Sequence, residues 1–392
     1  MIYPEYIAEI IKRIEERGER AYMVGGCVRD SLLGITPNDF DIAVSCPPEK
    51  TMEIFSDKHV IPTGLKHGTV TVIYDGVPVE LTTFRVDGIY TDSRHPDKVS
   101  FTNRIEEDLS RRDFTVNAMA YGLQEGLIDI FSGREDLEAR RIRAVGKPEV
   151  RFEEDALRIL RAFRFSAQLG FDIDKETLIA SGEKAEGLSR IARERIGVEF
   201  IKLLCSPHAD RALKQMKDFG VMRYVLGRYE PSIRVIDRLH SVLSSDISRL
   251  GFLLAEAEEN EAREILRSLR CSTKQVKGAL AVRRASRTSV SDVISARRFI
   301  ADTGVYWESG IIASVAYGSS PHDAIELTRR ENCIPKNLSE LKINGRKLME
   351  LGFGGKDIGQ ILGDLLEKCV DDPTLNREDK LTELALQYKK DQ

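Results

Sequence analysis

Two aspartates that follow a glycine pair have the types and spacing of a site for nucleotide phosphates. Asp39 and Asp41 are separated by one residue in a segment where polar and apolar residues alternate, and residues i and i+2 of a strand project from the same face. Two carboxylates on one face can bind a divalent cation through oxygen ligands. Gly25 and Gly26 let backbone amides approach a phosphate closely, and Arg29 adds a positive charge beside them. The set predicts nucleotidyl transfer with two metal ions, one activating the attacking hydroxyl and the other neutralising the leaving pyrophosphate.

Two further residues near this segment have more than one interpretation. Glu80 lies on a predicted strand over residues 77–84, which Asp75 and Gly76 join to a strand over 68–74 in a predicted hairpin. It is a candidate third carboxylate for the metal ions. His67 precedes the first strand of the hairpin and either positions the nucleotide or serves packing and turn formation.

A second polar motif occupies residues 111–120. Arg111 and Arg112 are followed directly by Asp113, and Asn117 lies four residues further on. Tandem arginines before an acid can be a charge cluster at a helix start. Beside a phosphate site they can also neutralise phosphates while the carboxylate accepts a hydrogen bond from a ribose hydroxyl.

A third motif predicts selection of the base. Asp155, Arg158, Arg161 and Arg164 recur every three residues on a predicted helix, which is also compatible with ion pairs on a solvated helix face. A carboxylate accepts from the exocyclic amino group that cytosine and adenine carry and that uracil lacks, whereas guanine presents a keto oxygen there. A guanidinium on the same face donates to the neighbouring ring acceptor. Such a pair would accept C and A and reject U and G without a template.

The elements that must position these motifs change character along the chain. The first ~130 residues mix predicted strands, glycine turns and short helices, including a helix over 28–33, and from about residue 153 nearly every segment has helical periodicity. We therefore predict an α+β protein, in which a small mixed α/β nucleotidyltransferase head precedes an all-helical neck, body and tail. The predicted boundaries are 1–140 for the head, 141–205 for the neck, 206–300 for the body and 301–392 for the tail.

The composition and charge of the chain limit the classes of protein to which it can belong. The 392 residues carry 59 Lys plus Arg against 63 Asp plus Glu, a net charge of -4, so nucleic-acid binding would need a local basic surface. Residues 263–298 supply one candidate, with ten basic and two acidic side chains, although a solvated helix face is an equal alternative. No apolar run reaches the ~20 residues of a membrane helix, and the six cysteines form no Cys-x-x-Cys pair. We expect a cytoplasmic protein with free thiols.

The motifs together resemble the class II tRNA nucleotidyltransferases, the CCA-adding enzymes and bacterial poly(A) polymerases of the DNA polymerase beta superfamily. The resemblance rests on five ordered segments: residues 25–30 with 39–41, then 111–120, 129–137, 154–158 and 192–200. It implies template-independent addition and repair of the 3′-terminal CCA of tRNA from CTP and ATP, with Mg²⁺ as cofactor and no protein partner. It also implies roles for individual residues: Mg²⁺ on Asp39 and Asp41, nucleotide binding by Gly25, Gly26, Arg29, Arg112, Asp113, Asn117, Arg161 and Arg164, and base recognition by Asp155 with Arg158.

Other activities within this family remain open from the sequence. Residues 87–101 resemble a flexible loop that enzymes adding only CC lack, which argues against that activity. Poly(A) polymerases usually depart from the pattern that Glu154, Asp155 and Arg158 form, so CCA addition is favoured. Enzymes that add only the terminal A stay an alternative. The scattered histidines predict no added phosphohydrolase domain.

Overall fold

A computed structural model describes residues 1–87, 99–355 and 357–388. It contains two compact units, the first formed by Met1–Leu203 with Arg211–Gly227 and the second by Leu204–Asp210 with Arg228–Gln392. The loop predicted over 87–101 lies outside the described residues except at its two ends. The predicted division into four domains stays a prediction.

The first unit contains every strand of the described chain. They are β1 (Ala21–Val24), β2 (Asp41–Val44), β3 (His59–Gly64), β4 (Thr69–Tyr74), β5 (Val77–Thr83), β6 (Arg85–Asp87), β7 (Val99–Phe101), β8 (Ala120–Gly122), β9 (Gly126–Ile128), β10 (Arg141–Ile142) and β11 (Asp172–Ile173). Its helices are α1 (Glu5–Glu15), α2 (Gly26–Leu32), α3 (Pro48–Ile54), α4 (Ile105–Ser110), α5 (Gly133–Glu138), α6 (Pro148–Glu154), α7 (Leu157–Leu169), α8 (Lys175–Glu183), α9 (Arg193–Leu204), α10 (Ala209–Asp218) and α11 (Met222–Leu226).

Seven strands form one mixed sheet in the order β3-β4-β5-β2-β1-β8-β9. Strand β2 pairs antiparallel with β1 and parallel with β5, so the aspartate motif starts in the middle of the sheet. The predicted hairpin is confirmed, since β4 and β5 pair through Asp75 and Gly76, both at positive φ. Strand β3 is a pairing that the sequence did not indicate, because it contains Pro62 and is largely exposed, as the edge of a sheet permits.

Three predicted boundaries are wrong by a few residues. The helix predicted over 28–33 runs over Gly26–Leu32, and the strand expected from Asp39 begins at Asp41. The helix expected to run through residue 155 is broken, because α6 ends at Glu154 and α7 begins at Leu157. Asp155 has extended backbone angles, and its Oδ1 accepts from the Leu157 amide at 3.0 Å. Aspartate favours such capping over a helix interior.

Helices are the only regular elements among the described residues of the second unit. Its helices are α12 (Ile233–Asp237), α13 (Asp246–Leu253), α14 (Glu259–Ser268), α15 (Thr273–Ser286), α16 (Val293–Thr303), α17 (Trp307–Tyr317), α18 (Ala324–Arg330), α19 (Gly345–Glu350), α20 (Asp357–Asp371) and α21 (Glu378–Gln387). Helix α15 packs between α13 and α17. Gly251 on α13 permits this approach, since a Cβ there would lie 2.6 Å from the Cβ of Val282. Among the described residues no helix is long and apolar enough to cross a membrane. The predicted α+β class, with a mixed head before helices, is therefore confirmed.

Candidate active site

A single cavity of about 1250 Å³ in the first unit brings all twelve predicted site residues together. They come from four segments of the chain and are Gly25, Gly26, Arg29, Asp39, Asp41, Arg112, Asp113, Asn117, Asp155, Arg158, Arg161 and Arg164. Nine Lys and Arg side chains line the cavity against six Asp and Glu. Its wall is therefore suited to a polyanion such as a triphosphate. His67 also lines the cavity, whereas Glu80 does not.

The two aspartates lie at the start of the central strand β2. Asp41 is its first residue and Asp39 precedes it, with the buried ring of Phe40 between them. Asp41 pairs in register with Glu80 on β5. The Asp41 residue is exposed to the cavity. Desolvation by the atoms around its carboxylate, together with the negative charges of Glu80 and Asp39, nevertheless raises the pKa of Asp41 against the opposing charge of Arg112. A cation held between Asp39 and Asp41 would remove this repulsion, so both residues fit a hard divalent metal ion.

The structure does not support Glu80 as a metal ligand. The described residues contain no group of three or more His, Cys, Asp or Glu side chains placed to bind one metal ion. Glu80 contributes to the negative potential at Asp41, but its role as a third carboxylate is not supported by the arrangement of the side chains.

The glycine turn is packed against an arginine of the second motif. Gly25 has φ of 73°, and a Cβ there would lie 2.8 Å from Arg112 Nη1. A side chain would therefore clash with the guanidinium as well as strain the backbone. Arg29 follows on α2, where it is buried and donates to Asp30 Oδ1 and Asn117 Oδ1, each at 2.8 Å.

The second motif is held by buried carboxylates. Asp108 accepts from Arg111 at 2.7 Å and from Arg112 at 3.2 Å. Asp113 accepts from Arg161 Nη2 at 2.6 Å and from the Phe114 amide at 2.9 Å. Burial opposes ionisation of Asp113, but the Arg161 guanidinium outweighs it and lowers the pKa of this carboxyl. Asp113 is therefore an anion already paired with a cation, and its expected contact with a ribose stays a prediction.

The third motif has a different pairing from the one that the sequence suggests. Asp155 Oδ2 accepts from Arg195 Nη2 at 2.8 Å. Arg158 instead donates to Glu154 Oε2 at 2.5 Å and to two backbone carbonyls. Of the four residues predicted to lie on one helix, the three arginines share α7 from Arg158 onward. Asp155 faces the cavity from the break between α6 and α7.

Three of the cavity residues that were not singled out from the sequence contact the predicted ones. Arg195 and Glu199 lie on α9, where Glu199 accepts from Arg164 Nε at 2.5 Å. Their spacing of four residues inside the segment 192–200 could have indicated one helix face. Phe165 faces the cavity between arginines on α7, and its apolar type gave no chemical signal.

Comparison with known proteins agrees with this site. A family described as the poly A polymerase head domain matches residues 21–143, and one described as a probable RNA and SrmB-binding site of polymerase A matches residues 170–234. The fold and the cavity thus define a nucleotidyltransferase. A CCA-adding enzyme of Leuconostoc mesenteroides is 36% identical over 399 residues, which cover 98% of this chain and 96% of that protein. Another, from Ligilactobacillus salivarius, is 36% identical and covers 96% of this chain and 94% of its own length.

A solved structure gives the same result. The crystal structure of the Bacillus stearothermophilus CCA-adding enzyme in complex with CTP has a TM-score of 0.86 and 31% identity, covering 99% of this chain and 98% of that one. The chain belongs to the family of CCA-adding enzymes and is a tRNA nucleotidyltransferase.

Proposed function

We propose that the cavity catalyses template-independent addition and repair of the 3′-terminal CCA of tRNA, using CTP and ATP and releasing pyrophosphate. One observation carries this function: the same cavity is lined by the Asp39 and Asp41 carboxylates, by the arginine cluster and by Asp155 with Arg158. The relatives that span nearly the whole chain are CCA-adding enzymes, so A-only addition and poly(A) synthesis are not favoured.

Asp39 and Asp41 would hold the divalent metal ions, which we take to be Mg²⁺. Bound there, the ions would lower the pKa of the attacking 3′ hydroxyl and neutralise the leaving pyrophosphate. The support from this chain is the pair of carboxylates on one strand start and the raised pKa of Asp41. Mg²⁺ prefers oxygen ligands and usually binds through one or two carboxylates plus substrate phosphates.

Arginines would bind the triphosphate around these carboxylates. Arg29, Arg112 and Arg164 reach the cavity from α2, from the turn after α4 and from α7. Gly26, at the start of α2, would add a backbone amide, whereas the Gly25 amide already donates to the Met119 carbonyl at 3.3 Å. Asp113 and Asn117 would bind the ribose through their remaining acceptor and donor capacity, with Arg161 fixing the Asp113 carboxylate.

Base selection would use the Watson-Crick edge of the incoming nucleotide. The Asp155 carboxylate would accept from the exocyclic amino group of cytosine or adenine. Arg158 would donate to the adjacent ring acceptor with donors that its contacts to Glu154 and the backbone leave available. The protein side chains would thus replace a template base.

The second unit would bind the tRNA backbone through part of its basic segment 263–298. Several of the ten basic side chains in this segment already contact protein acceptors, among them Arg263, Arg283, Arg284, Arg297 and Arg298. Lys274 and Lys277 are exposed on α15 and are our candidates for phosphate contacts. A tRNA substrate also favours a cytoplasmic location, which stays a prediction.

The function is tested with three tRNA transcripts that end before CCA, after C and after CC. Each is incubated with Mg²⁺ and labelled CTP or ATP. We expect label from CTP in the first two and label from ATP in the third. Incorporation of A into the third with none of C into the others would replace CCA addition by A-only addition, and long A tails on all three would indicate a poly(A) polymerase.

A further inference from the structure

The ring of Phe165 is shared by three guanidinium groups. The Cζ atom of Arg164 lies 3.9 Å from the ring centroid, that of Arg161 at 5.3 Å and that of Arg29 at 5.4 Å. All three distances lie within the ~6 Å over which a cation is attracted to an aromatic face. Arg29 comes from α2, some 130 residues before the other two. The ring therefore connects the glycine-turn helix with the base-selecting helix α7.

The structure fixes the orientation of this ring. Phe165 is buried except for the part that lines the cavity. Phe114 packs against it edge-on, with ring centroids 5.8 Å apart and an interplanar angle of 77°. Edge-to-face pairs of this geometry are favourable in themselves. The ring consequently presents a fixed surface to the arginines.

Each of the three arginines also has a polar partner. Arg161 and Arg164 share Glu199, which lies 3.8 Å from Arg161 Nη1, whereas Phe165 contacts all three guanidinium groups. Arg29 donates to Asn117, Arg161 to Asp113 and Arg164 to Glu199. These bonds hold each guanidinium at one edge, while the three positive charges repel one another. The electron-rich ring offsets this repulsion at the point where the groups converge.

We infer that Phe165 is a positioning residue for triphosphate binding: it holds Arg29, Arg161 and Arg164 in one arrangement and acts on the nucleotide through them. This inference rests on the proposed assignment of Arg29 and Arg164 to the triphosphate and of Arg161 to the Asp113 carboxylate beside them. The base is recognised elsewhere, at Asp155 and Arg158, so Phe165 should set affinity for the triphosphate without setting the choice of base.

The test compares Phe165→Leu with Phe165→Tyr and with the control Phe163→Leu. Phe163 is a fully buried ring on the same helix and does not line the cavity. Each cation–π contact of this kind changes an equilibrium constant roughly two- to fivefold. Phe165→Leu should therefore raise KM for CTP and for ATP by about tenfold, with kcat and the CTP-to-UTP preference unchanged. Phe165→Tyr keeps the aromatic face and should recover most of the loss.

The control separates this role from packing. Phe163→Leu should lower the melting temperature at least as much as Phe165→Leu while leaving both KM values unchanged. Equal KM values for Phe165→Leu and Phe163→Leu, or a changed base preference in the first, would overturn the inference. Arg164→Gln separates the inference from the assignment on which it rests. An unchanged KM in Arg164→Gln would remove the assignment of this arginine to the triphosphate. A raised KM in Arg164→Gln together with an unchanged KM in Phe165→Leu would remove only the role of Phe165.

Discussion

Arg195 should control how strictly the enzyme chooses its nucleotide, although it belongs to none of the residues predicted from the sequence. Its Nη2 donates to Asp155 Oδ2 at 2.8 Å, while Asp155 Oδ1 accepts from the Leu157 amide. The two bonds fix the plane of the carboxylate that faces the incoming base. In Arg195→Met the apolar part of the side chain is kept and the first bond is lost. The carboxylate can then rotate about the second.

The size of the effect follows from the exposure of the pair. A hydrogen bond between charged groups contributes about 1.5–3 kcal/mol when it is buried. The side chains of Arg195 and Asp155 are 29% and 15% exposed, so solvent screening reduces the contribution to about 1–2 kcal/mol. Since 1.4 kcal/mol is a factor of ten, the preference for CTP over UTP should fall roughly five- to thirtyfold.

The assay is kcat/KM for CTP and for UTP on a tRNA that ends before CCA. Arg190→Met is the control, because Arg190 is an exposed arginine just before the same helix and lies outside the cavity. We expect a lower ratio for Arg195→Met, an unchanged ratio for Arg190→Met and similar tRNA binding in both. An unchanged CTP-to-UTP ratio in Arg195→Met would refute the reasoning, as would a loss of tRNA affinity in place of discrimination.

Two further predictions concern the carboxylates around the site. Glu80 raises the pKa of Asp41, so Glu80→Gln should lower that pKa; because the metal ion binds ionised Asp41, the acid limb of the pH–rate profile should move to lower pH. A lower affinity for Mg²⁺ at every pH, seen as a higher Mg²⁺ concentration needed for half-maximal activity, would instead make Glu80 a ligand. Asp136 is fully buried and accepts from Thr115 at 2.6 Å, Arg141 at 2.7 Å and Arg143 at 2.8 Å, so Asp136→Asn should reduce the free energy of unfolding by about 2 kcal/mol. Urea titration checks this, and a loss under ~0.5 kcal/mol would contradict it.

Local sequence patterns predicted the parts of the fold that local physics determines. The hairpin at Asp75 and Gly76 follows from the positive φ that its two-residue turn needs, and α7 follows from its apolar periodicity. The strand β3 did not, because its stability comes from pairing with β4 and its own residues are largely exposed. The sequence pattern placed Asp155 on a helix, because residue spacing does not reveal the interruption between α6 and α7 at which Asp155 accepts from the Leu157 amide.

The sequence predicted which residues belong to the site, but it did not predict which carboxylates and arginines pair with one another. Motif spacing identified residues such as Asp41, Asp113 and Arg158, and the structure brings them into one cavity. Which carboxylate meets which arginine depends on tertiary packing, so the pairs of Asp113 with Arg161 and of Asp155 with Arg195 could not be read from the sequence. Phe165 was missed for the same reason, since its neighbour Arg29 is distant in the chain.

The most direct test of the account is Asp41→Asn, assayed for labelled C incorporation together with Mn²⁺ binding followed by electron paramagnetic resonance. Metal ions contribute several kcal/mol to such a reaction, so we expect incorporation to fall by roughly a thousandfold or more. Mn²⁺ affinity should fall with it, while the melting temperature and tRNA affinity stay at wild-type values. Wild-type incorporation by the folded Asp41→Asn protein, or wild-type Mn²⁺ affinity, would contradict the placement of the catalytic metal ions at the start of β2.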